Sequence, residues 1–391
     1  MKIKSTYVFL ILLIVKKIRK YSGFIIIPTI YFLWTGVVHK TNDEKHRVSD
    51  LDVIMQERAV SLKEKCRQMR DHGNIRSIFN FEIQELFVVD QYRFCKVPKC
   101  GCTFWLQTFL IMKQIIKPED LYTLEREDLH WRLQESVIAF NYIPQQSDIL
   151  IMVTRDPWQR LYSAYMDKIY RGQSNFVNLY KEIASNNNSC DESPSFQQFL
   201  DYIVRTNANS GVHDAHWRPI SSVCNVCSSK YTYILKQEYF TKESLYLLDI
   251  LIPQPSEGKD NLKSLLTDTG NSLHQLVRQF VSEMPTCKNG NFLNKLKRLW
   301  ISFQSQGLIS DDNEFEPGHF QHLSETNVND IVNMVVSKGL WINMTNEERK
   351  RQRHQHMIKT YKSTKLSTLR MIQSVYMNDF LLFGYNKSPP S

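Results

Sequence analysis

The chain has 391 residues, of which 42% are hydrophobic and 12% aromatic, so it can bury a large core. This composition excludes a disordered or fibrous protein. The formal net charge of +9 suggests nucleic acid, but residues 1–40 hold seven basic and no acidic residues. The rest of the chain is therefore nearly neutral, which argues against a nucleic-acid partner.

The N-terminal segment predicts a membrane anchor. Tyr21 to Val38 is an uncharged run of 18 residues, close to the length that spans a bilayer, and the basic sequence KKIRK precedes it. We therefore expect a single-pass type II protein, with a cytoplasmic tail at 1–20, a transmembrane signal anchor at 21–38 and a lumenal remainder. The short span favours the Golgi membrane. The alternatives are a multi-pass protein or a cleaved signal peptide, because the apolar run at 7–15 resembles the core of one.

The next segment, 39–77, is charged and is predicted to be a partly helical stem before a globular domain at 78–386. The chain has eight cysteines, as expected in an oxidising compartment. Cys224 and Cys227 form a CxxC pair, which fits a redox pair, half a zinc site or two disulfide half-cystines. We favour disulfides because no second CxxC completes a zinc site, and the pairing cannot be read from the sequence.

A first strand-to-helix unit contains a candidate anion loop. Leu86 to Val97 has the content of one buried strand, and Thr103 to Ile116 has helical apolar spacing. The PKCGC segment between them is predicted at a helix N-terminus, where unpaired N–H groups attract anions. Gly101 permits close approach, Thr103 offers a hydroxyl and Lys99 an ammonium. A Walker loop places its lysine after the second glycine, so this segment is a different type of anion loop. The alternative is a strand end with a purely structural role.

A second unit follows the same plan. Asp148 to Val153 is the continuous apolar run of a central parallel strand, and TRDPWQRLYSAYMDKIY comes next, with a proline suited to a first helical turn. Arg155 stands at the strand's carboxyl end, where open α/β sheets bind ligands, and Arg160 and Ser163 follow on the helix. We predict a second anion site here. The alternative is that Arg155 forms a structural ion pair with one of two aspartates, Asp156 and Asp167.

Together these units predict an α/β fold with a central, mainly parallel sheet flanked by helices, and a ligand with two anionic groups. The motifs resemble those of the lumenal carbohydrate sulfotransferases related to the HNK-1, chondroitin/dermatan 4-O and GalNAc 4-O enzymes. CKVPKCGCTFW is similar to their 5′-phosphosulfate loop, and TRDPWQRLYSAYMDK to their 3′-phosphate motif. DAHWRPISSVCNVCSSKYTYILKQE (214–238) and VYMNDFLLFGY (375–385) resemble their His-Trp-x-Pro and closing segments.

The resemblance implies a P-loop-like sulfotransferase fold and transfer of a sulfuryl group from 3′-phosphoadenosine 5′-phosphosulfate (PAPS) to a glycan hydroxyl. The acceptor would be GalNAc or glucuronic acid of a glycoprotein or proteoglycan. By position, Lys99 would contact the phosphosulfate, Arg155 and Ser163 the 3′-phosphate, and Trp105 would stack on adenine or lie in the core. The residues expected at the donor are Pro98, Lys99, Cys100, Gly101, Cys102, Thr103, Phe104, Arg155, Asp156, Arg160 and Ser163.

Lys99 and His216 are the expected catalytic residues. Transfer of an activated sulfuryl group needs charge stabilisation and positioning, which Lys99 supplies, so no metal is expected. The acceptor hydroxyl needs a base, for which His216 is the candidate and Asp214 or His213 the substitutes.

Departures from the family pattern keep two alternatives open. Phe104 replaces the asparagine usual after the loop threonine, and Trp158 replaces a phenylalanine, which fits a catalytically inactive glycan- or nucleotide-binding relative. A uronosyl 2-O-sulfotransferase would share the donor motifs but differ in its acceptor segment. Cys100 is predicted to be either a half-cystine or a buried thiol. The acceptor sugar and the oligomeric state cannot be read from the sequence.

Overall fold

The computed structural model describes residues 50–71, 83–125, 128–172, 176–184, 193–209, 214–267, 277–283, 291–324, 327–339 and 344–391. Its contacts divide the chain into two compact units, Met1–Ile54 and Met55–Ser391. The anchor predicted at 21–38 lies outside the described residues, as does His213. Within the described ranges, no helix is both long and apolar enough to cross a membrane.

The central sheet has five strands in the described part of the chain, in the order β3-β1-β2-β4-β5. The strands are β1 (Ile83–Val89), β2 (Tyr92–Cys95), β3 (Ile138–Tyr142), β4 (Ile149–Thr154) and β5 (Tyr231–Lys236). β4 runs parallel to β2 and β5, whereas β1 runs antiparallel to β2 and β3. The sheet is therefore mixed, and the prediction of a mainly parallel sheet is correct only around β4.

The single strand predicted from Leu86 to Val97 is wrong, because this segment forms the β1–β2 hairpin. Val89 pairs with Tyr92, and the two residues between them make the turn, with Asp90 in the left-handed region at φ 49°. Phe87 and Phe94 stack across the hairpin, 6.0 Å between ring centroids. Apolar content on both sides of the turn is alike, so composition alone did not reveal the break.

Helices account for most of the other described residues. They are α1 (50–71), α2 (Cys102–Met112), α3 (Pro157–Ala164), α4 (Val177–Ala184), α5 (Phe196–Asn209), α6 (Ile220–Val223), α7 (Phe240–Leu251), α8 (Glu257–Thr267), α9 (277–282), α10 (Phe292–Ser305), α11 (Val328–Gly339), α12 (Asn346–Lys362), α13 (Leu366–Val375) and α14 (Met377–Phe383). α3 continues into a π-helical turn at Tyr165–Tyr170. The predicted helices after both strand ends are confirmed, although α2 ends earlier than expected.

The core holds the sheet and the closing segment together. β4 is buried on both faces, as a central strand should be. A second apolar cluster joins Trp158 to α14, with 5.4 Å between the rings of Trp158 and Phe380. The buried Asp379 carboxylate accepts the N–H groups of Ile220 and Ser221 at 2.7 and 2.8 Å. The C-terminal helix thereby fixes the chain that follows the His-Trp-x-Pro segment.

Two disulfides confirm the prediction for the CxxC pair. Cys227 bonds to Cys66 and Cys224 bonds to Cys95, so the two cysteines are half-cystines of different bridges. The Cys66 bridge also shows that residues 55–71, predicted as stem, belong to the second compact unit. In the same helix, the Arg58 guanidinium binds both oxygens of Glu243 at 2.9 and 2.8 Å.

Candidate anion-binding active site

The two predicted anion sites meet in one cavity of about 650 Å³ beyond the carboxyl ends of β2 and β4. Because β2 and β4 are parallel neighbours, the turns that follow them lie side by side. The candidate base His216 also lines this cavity. Seven of the eleven residues predicted at the donor do so as well: Pro98, Lys99, Gly101, Cys102, Thr103, Arg155 and Ser163.

The loop after β2 exposes backbone donors. Lys99 and Gly101 have φ angles of 70° and 81°, and Gly101 is the N-cap residue of α2. No side chain among the described residues caps this helix, and its first turn contains no acidic residue. N–H groups of a first helical turn have no intrahelical acceptor, so those of α2 can bind an anion. A Cβ on Gly101 would lie 2.4 Å from the Phe240 ring, which explains the glycine.

The turn after β4 contributes side chains. Arg155 Nη1 donates to the carbonyl of Lys99 at 2.9 Å, which ties the two turns together. Its Nε is buried and has no hydrogen-bond partner in the part of the chain that the structure describes. Burial lowers the pKa of Arg155, a sign of desolvation that an anion would relieve. The alternative ion pairs are not observed here, because Asp156 caps α3 and Asp167 binds other cations.

Arg160 requires a correction, because it lies behind the cavity. Its side chain is buried, with 2% exposure for the residue. Nε, Nη1 and Nη2 donate to the carbonyls of Pro98, Arg218 and Ala215 at 3.1, 2.5 and 2.8 Å. Arg160 therefore braces the anion loop against the segment that carries His216 and does not face a ligand.

Three further predicted donor contacts lie outside the cavity lining. The Cys100 thiol is free and buried, and burial raises its pKa to about 12 despite the nearby Arg160 and Arg155, so it stays protonated. Phe104 packs edge-on against Phe240, 5.7 Å between centroids. Asp156 Oδ1 accepts the Gln159 N–H at 3.0 Å as the cap of α3. These residues shape the turns from behind.

Of the two positions expected for Trp105, adenine stacking or the core, the structure shows the core. The indole is fully buried and stacks on Phe94, 5.0 Å between ring centroids. Its position on the sheet-facing side of α2 leaves no surface for a ligand.

His216 and Asp214 form a hydrogen-bonded pair at the cavity. His216 Nδ1 lies 2.6 Å from Asp214 Oδ1. Burial, supported by the charges of Lys168 and Lys99, lowers the pKa of His216 to about 4 against the opposing effect of Asp214. The imidazole is therefore neutral near pH 7, with its proton on Nδ1 toward the carboxylate and Nε2 free to accept one. Although burial opposes it, hydrogen bonding from His216 lowers the pKa of Asp214, which suits an orienting carboxylate better than a base.

Lys99 is held in place by Asp167, which the sequence analysis considered only as a possible ion-pair partner of Arg155. Its Nζ lies 2.7 Å from Asp167 Oδ2. Asp167 stands in the π-helical turn after α3, and its other oxygen binds Arg171 Nη2 at 2.8 Å. The loop lysine is thus placed at the cavity wall by a partner 68 residues away.

Sequence reasoning missed other residues of the cavity. His130 Nε2 lies 3.1 Å from the Thr103 hydroxyl, and the neighbouring Trp131 is 65% exposed at the cavity. Lys168 and Phe176 also line it. Lys168 directly follows Asp167 in the segment TRDPWQRLYSAYMDK, a usable signal, whereas no local pattern marks the 130–131 segment.

A second cavity of about 850 Å³ adjoins the first and shares Arg155, Ser163 and Gln237 with it. Basic side chains from α7 and α12 line its far part: Lys242, Lys350, Arg353 and His354. In the described residues, no three His, Cys, Asp or Glu side chains are grouped as metal ligands. The two cavities together suit an elongated ligand with separated negative charges.

A parallel strand pair whose turns offer backbone N–H groups, a lysine and an arginine defines an α/β protein of the nucleotide- or anion-binding class. The comparison with known families is consistent with that class. Residues 84–298, more than half of the chain, match the sulfotransferase family, and the chain belongs to this family.

Curated relatives are distant. Carbohydrate sulfotransferase 11 of Mus musculus is 22% identical over 222 residues, which are 52% of this chain and 63% of the relative. Carbohydrate sulfotransferase 10 of Xenopus laevis is 25% identical over 244 residues, 53% and 63% of the two chains. Carbohydrate sulfotransferase 14 of Danio rerio is 24% identical over 190 residues, which are 43% of this chain and 48% of the relative. The matches thus span less than two thirds of these relatives, and no solved structure is a significant match.

Proposed function

We propose that the chain transfers a sulfuryl group from PAPS to a hydroxyl of a glycan. The observation that carries this proposal is the meeting, in one cavity, of an uncapped helix N-terminus, Lys99, Arg155 and the His216–Asp214 pair. The names of the relatives support a carbohydrate acceptor. The predicted anchor at 21–38 supports a Golgi type II protein whose catalytic domain is lumenal.

The donor is assigned to the two cavities by charge. First-turn N–H groups of α2 and the Lys99 ammonium suit the 5′-phosphosulfate. Arg155 Nε, which has no hydrogen-bond partner among the described residues, and the Ser163 hydroxyl suit the 3′-phosphate. Ser163 and Arg155 also line the second cavity, which gives the adenosine a continuous path.

The transfer step uses these groups directly. The acceptor hydroxyl oxygen forms a bond to sulfur while His216 Nε2 takes the hydroxyl proton. The bond between sulfur and the bridging phosphate oxygen breaks, and its electron pair stays on the phosphate of adenosine 3′,5′-bisphosphate. Lys99 and the loop N–H groups stabilise that developing charge. Asp214 keeps the imidazole oriented and stabilises the imidazolium.

The acceptor is assigned to the Trp131 side of the first cavity. A pyranose has an apolar C–H face and polar edges, so it packs well on an exposed indole. Glu85 and Lys96 line the same cavity and offer polar contacts for its hydroxyls. Because Trp131 is 65% exposed, a glycan packed on its indole can extend into solvent.

A transfer assay tests the proposal. The full chain is incubated with PAPS labelled in the sulfuryl group and with either desulfated chondroitin or a saccharide ending in glucuronic acid. We expect a labelled glycan, and we expect His216→Ala to lower kcat by roughly 10²–10⁴-fold without changing affinity for adenosine 3′,5′-bisphosphate. The matched control is His356→Ala, which removes another histidine paired with an aspartate.

The outcomes separate the alternatives. Label on a uronic-acid 2-hydroxyl would identify a uronosyl 2-O-sulfotransferase. A parent protein that binds adenosine 3′,5′-bisphosphate but transfers label to neither acceptor would contradict the proposal and favour an inactive binding relative. Since the pKa of His216 is about 4, the rate should be flat between about pH 6 and 8 and fall as the pH approaches 4.

A further inference from the structure

The π-helical turn after α3 brings two lysines of the cavity to one carboxylate. Asp167 Oδ2 lies 2.7 Å from Lys99 Nζ and 3.3 Å from Lys168 Nζ. Adjacent residues of a regular α-helix point about 100° apart, whereas π-helical turns widen the helix locally and often occur at functional sites. The turn thus allows Asp167 and Lys168 to act at the same place.

Lys168 is a buried cation beside the reaction space. Its side chain is only 3% exposed, yet it lines the first cavity with Phe176, Asp214 and His216. Its Nζ lies 5.6 Å from the centre of the Phe176 ring. Buried lysines are rare because desolvation is costly, so an ammonium kept at a cavity wall requires an explanation.

Further charged side chains stand behind the cavity wall. Asp167 Oδ1 binds Arg171, which in turn binds Glu283 at 2.7 Å. In this cluster, three cations, Lys99, Lys168 and Arg171, face two carboxylates. Two of these cations, Lys99 and Lys168, line the cavity, where they can stabilise a negatively charged group.

We propose that Lys168 is a further catalytic residue, whose ammonium contacts the oxygens of the sulfuryl group in flight while Lys99 stabilises the departing phosphate. Asp167 acts as the positioning residue that holds both lysines. This inference rests on the proposed sulfuryl transfer. Three sulfuryl oxygens share negative charge with the leaving oxygen during the transfer, and two ammonium groups at one wall can stabilise both positions at once.

Lys168 lines the same cavity as the anion loop and His216, which supports this role. The positive charges of Lys168 and Lys99 both act against protonation of His216, and Lys168 also acts on Asp214. The ammonium is therefore within electrostatic range of the point where the acceptor hydroxyl loses its proton and attacks sulfur.

The test compares Lys168→Met and Lys168→Arg with the parent, all as the full chain. With labelled PAPS and desulfated chondroitin, we expect Lys168→Met to lower kcat by roughly 10²–10³-fold and Lys168→Arg to restore at least part of it. Affinity for adenosine 3′,5′-bisphosphate, which lacks the sulfuryl group, should stay within about twofold of the parent. The control is Lys259→Met, which removes a buried lysine of α8 that pairs with Asp249 of α7 at 2.8 Å. It should leave kcat unchanged.

A pH profile distinguishes this role from a structural one. Loss of the Lys168 charge favours the imidazolium, so the acidic limb of kcat should move to higher pH in Lys168→Met but not in Lys259→Met. If Lys168→Met does not fold, Lys168→Gln is measured against the same criteria.

Two results would overturn the inference: a kcat within about threefold of the parent, or a fall in kcat matched by an equal fall in bisphosphate affinity. Failure of the proposed function itself is recognised separately. In that case the parent protein would show no transfer at all.

Discussion

The two turns that build the site occupy equivalent positions, each between a strand and a helix, but differ in the groups that they offer a ligand. Both connect a strand to a helix at the same edge of the sheet. The first leaves the N-terminus of α2 uncapped by any described side chain, whereas the second has Asp156 as the cap of α3. The first turn is suited to bind through backbone N–H groups, and the second through the side chains of Arg155 and Ser163. Capping thus decides whether a helix start remains available to a ligand.

Adding a side chain to the uncapped turn should have the largest effect on ligand affinity. In Gly101→Ala, the Cβ would collide with the Phe240 ring, and the residue would have to keep a φ of +81°. We expect affinity for adenosine 3′,5′-bisphosphate to fall about 100-fold, or about 2.7 kcal/mol, by calorimetry. The control Gly318→Ala meets no atom within 4 Å and should bind like the parent. Parent-like binding by Gly101→Ala would show that the loop backbone is not the donor site.

A substitution on the Trp131 side of the first cavity should change the kinetics for the acceptor and not for the donor that the two turns bind. Trp131→Ala removes the exposed indole, and we expect KM for the glycan to rise about tenfold, equivalent to about 1.4 kcal/mol, with KM for PAPS unchanged. Phe140→Ala is the control, because this residue is 62% exposed on β3 and lines neither cavity. Equal kinetics for the two variants would remove Trp131 from the acceptor site.

The capped turn should lose stability and keep its ligand. Asp156→Ala removes the acceptor of the Gln159 N–H, and we expect the free energy of unfolding in urea to fall by about 1 kcal/mol. Bisphosphate affinity should change less than about threefold in this variant. Thr345→Ala, which removes the cap of α12, should cost a similar amount. A large loss of binding in Asp156→Ala alone would give this aspartate the direct ligand role that the geometry denies it.

The smallest effect concerns the charge of the first turn. Lys99 is one of the cations that lower the pKa of His216, so Lys99→Met should raise this pKa above about 4. Arg155→Met should raise it less, because Arg155 directs Nη1 to the Lys99 carbonyl. Titration of the His216 imidazole by NMR measures both shifts. An identical pKa in the parent and Lys99→Met would place the Lys99 ammonium farther from the base than the structure does.

The sequence predicted the parts of this site that depend on local signals. Gly101 and the proline of α3 mark helix starts. Arg155 directly follows β4 and Lys99 lies in the loop after β2, so their meeting followed from two parallel strands. Arg160 has the same local signals as Arg155, because both are arginines of the segment that follows β4. Its burial against three carbonyls depends on the fold of the 214–218 segment, which no spacing reveals.

Long-range pairings were the hardest to predict. Asp167 reaches Lys99 across 68 residues, and the disulfides join cysteines 161 and 129 residues apart. The β1–β2 hairpin was missed because its turn interrupts an otherwise uniform apolar run. Trp105 has the position of a ligand-stacking residue in the loop motif, but helical geometry directs its ring to the sheet.

The most direct test of the two-turn donor site is calorimetric titration of the full chain with adenosine 3′,5′-bisphosphate, alongside Lys99→Ala and Arg155→Ala. We predict micromolar binding by the parent, equivalent to about −8 kcal/mol, and loss of binding in both variants. A folded parent that does not bind, or variants that bind as the parent does, would contradict the assignment of these two turns to the donor.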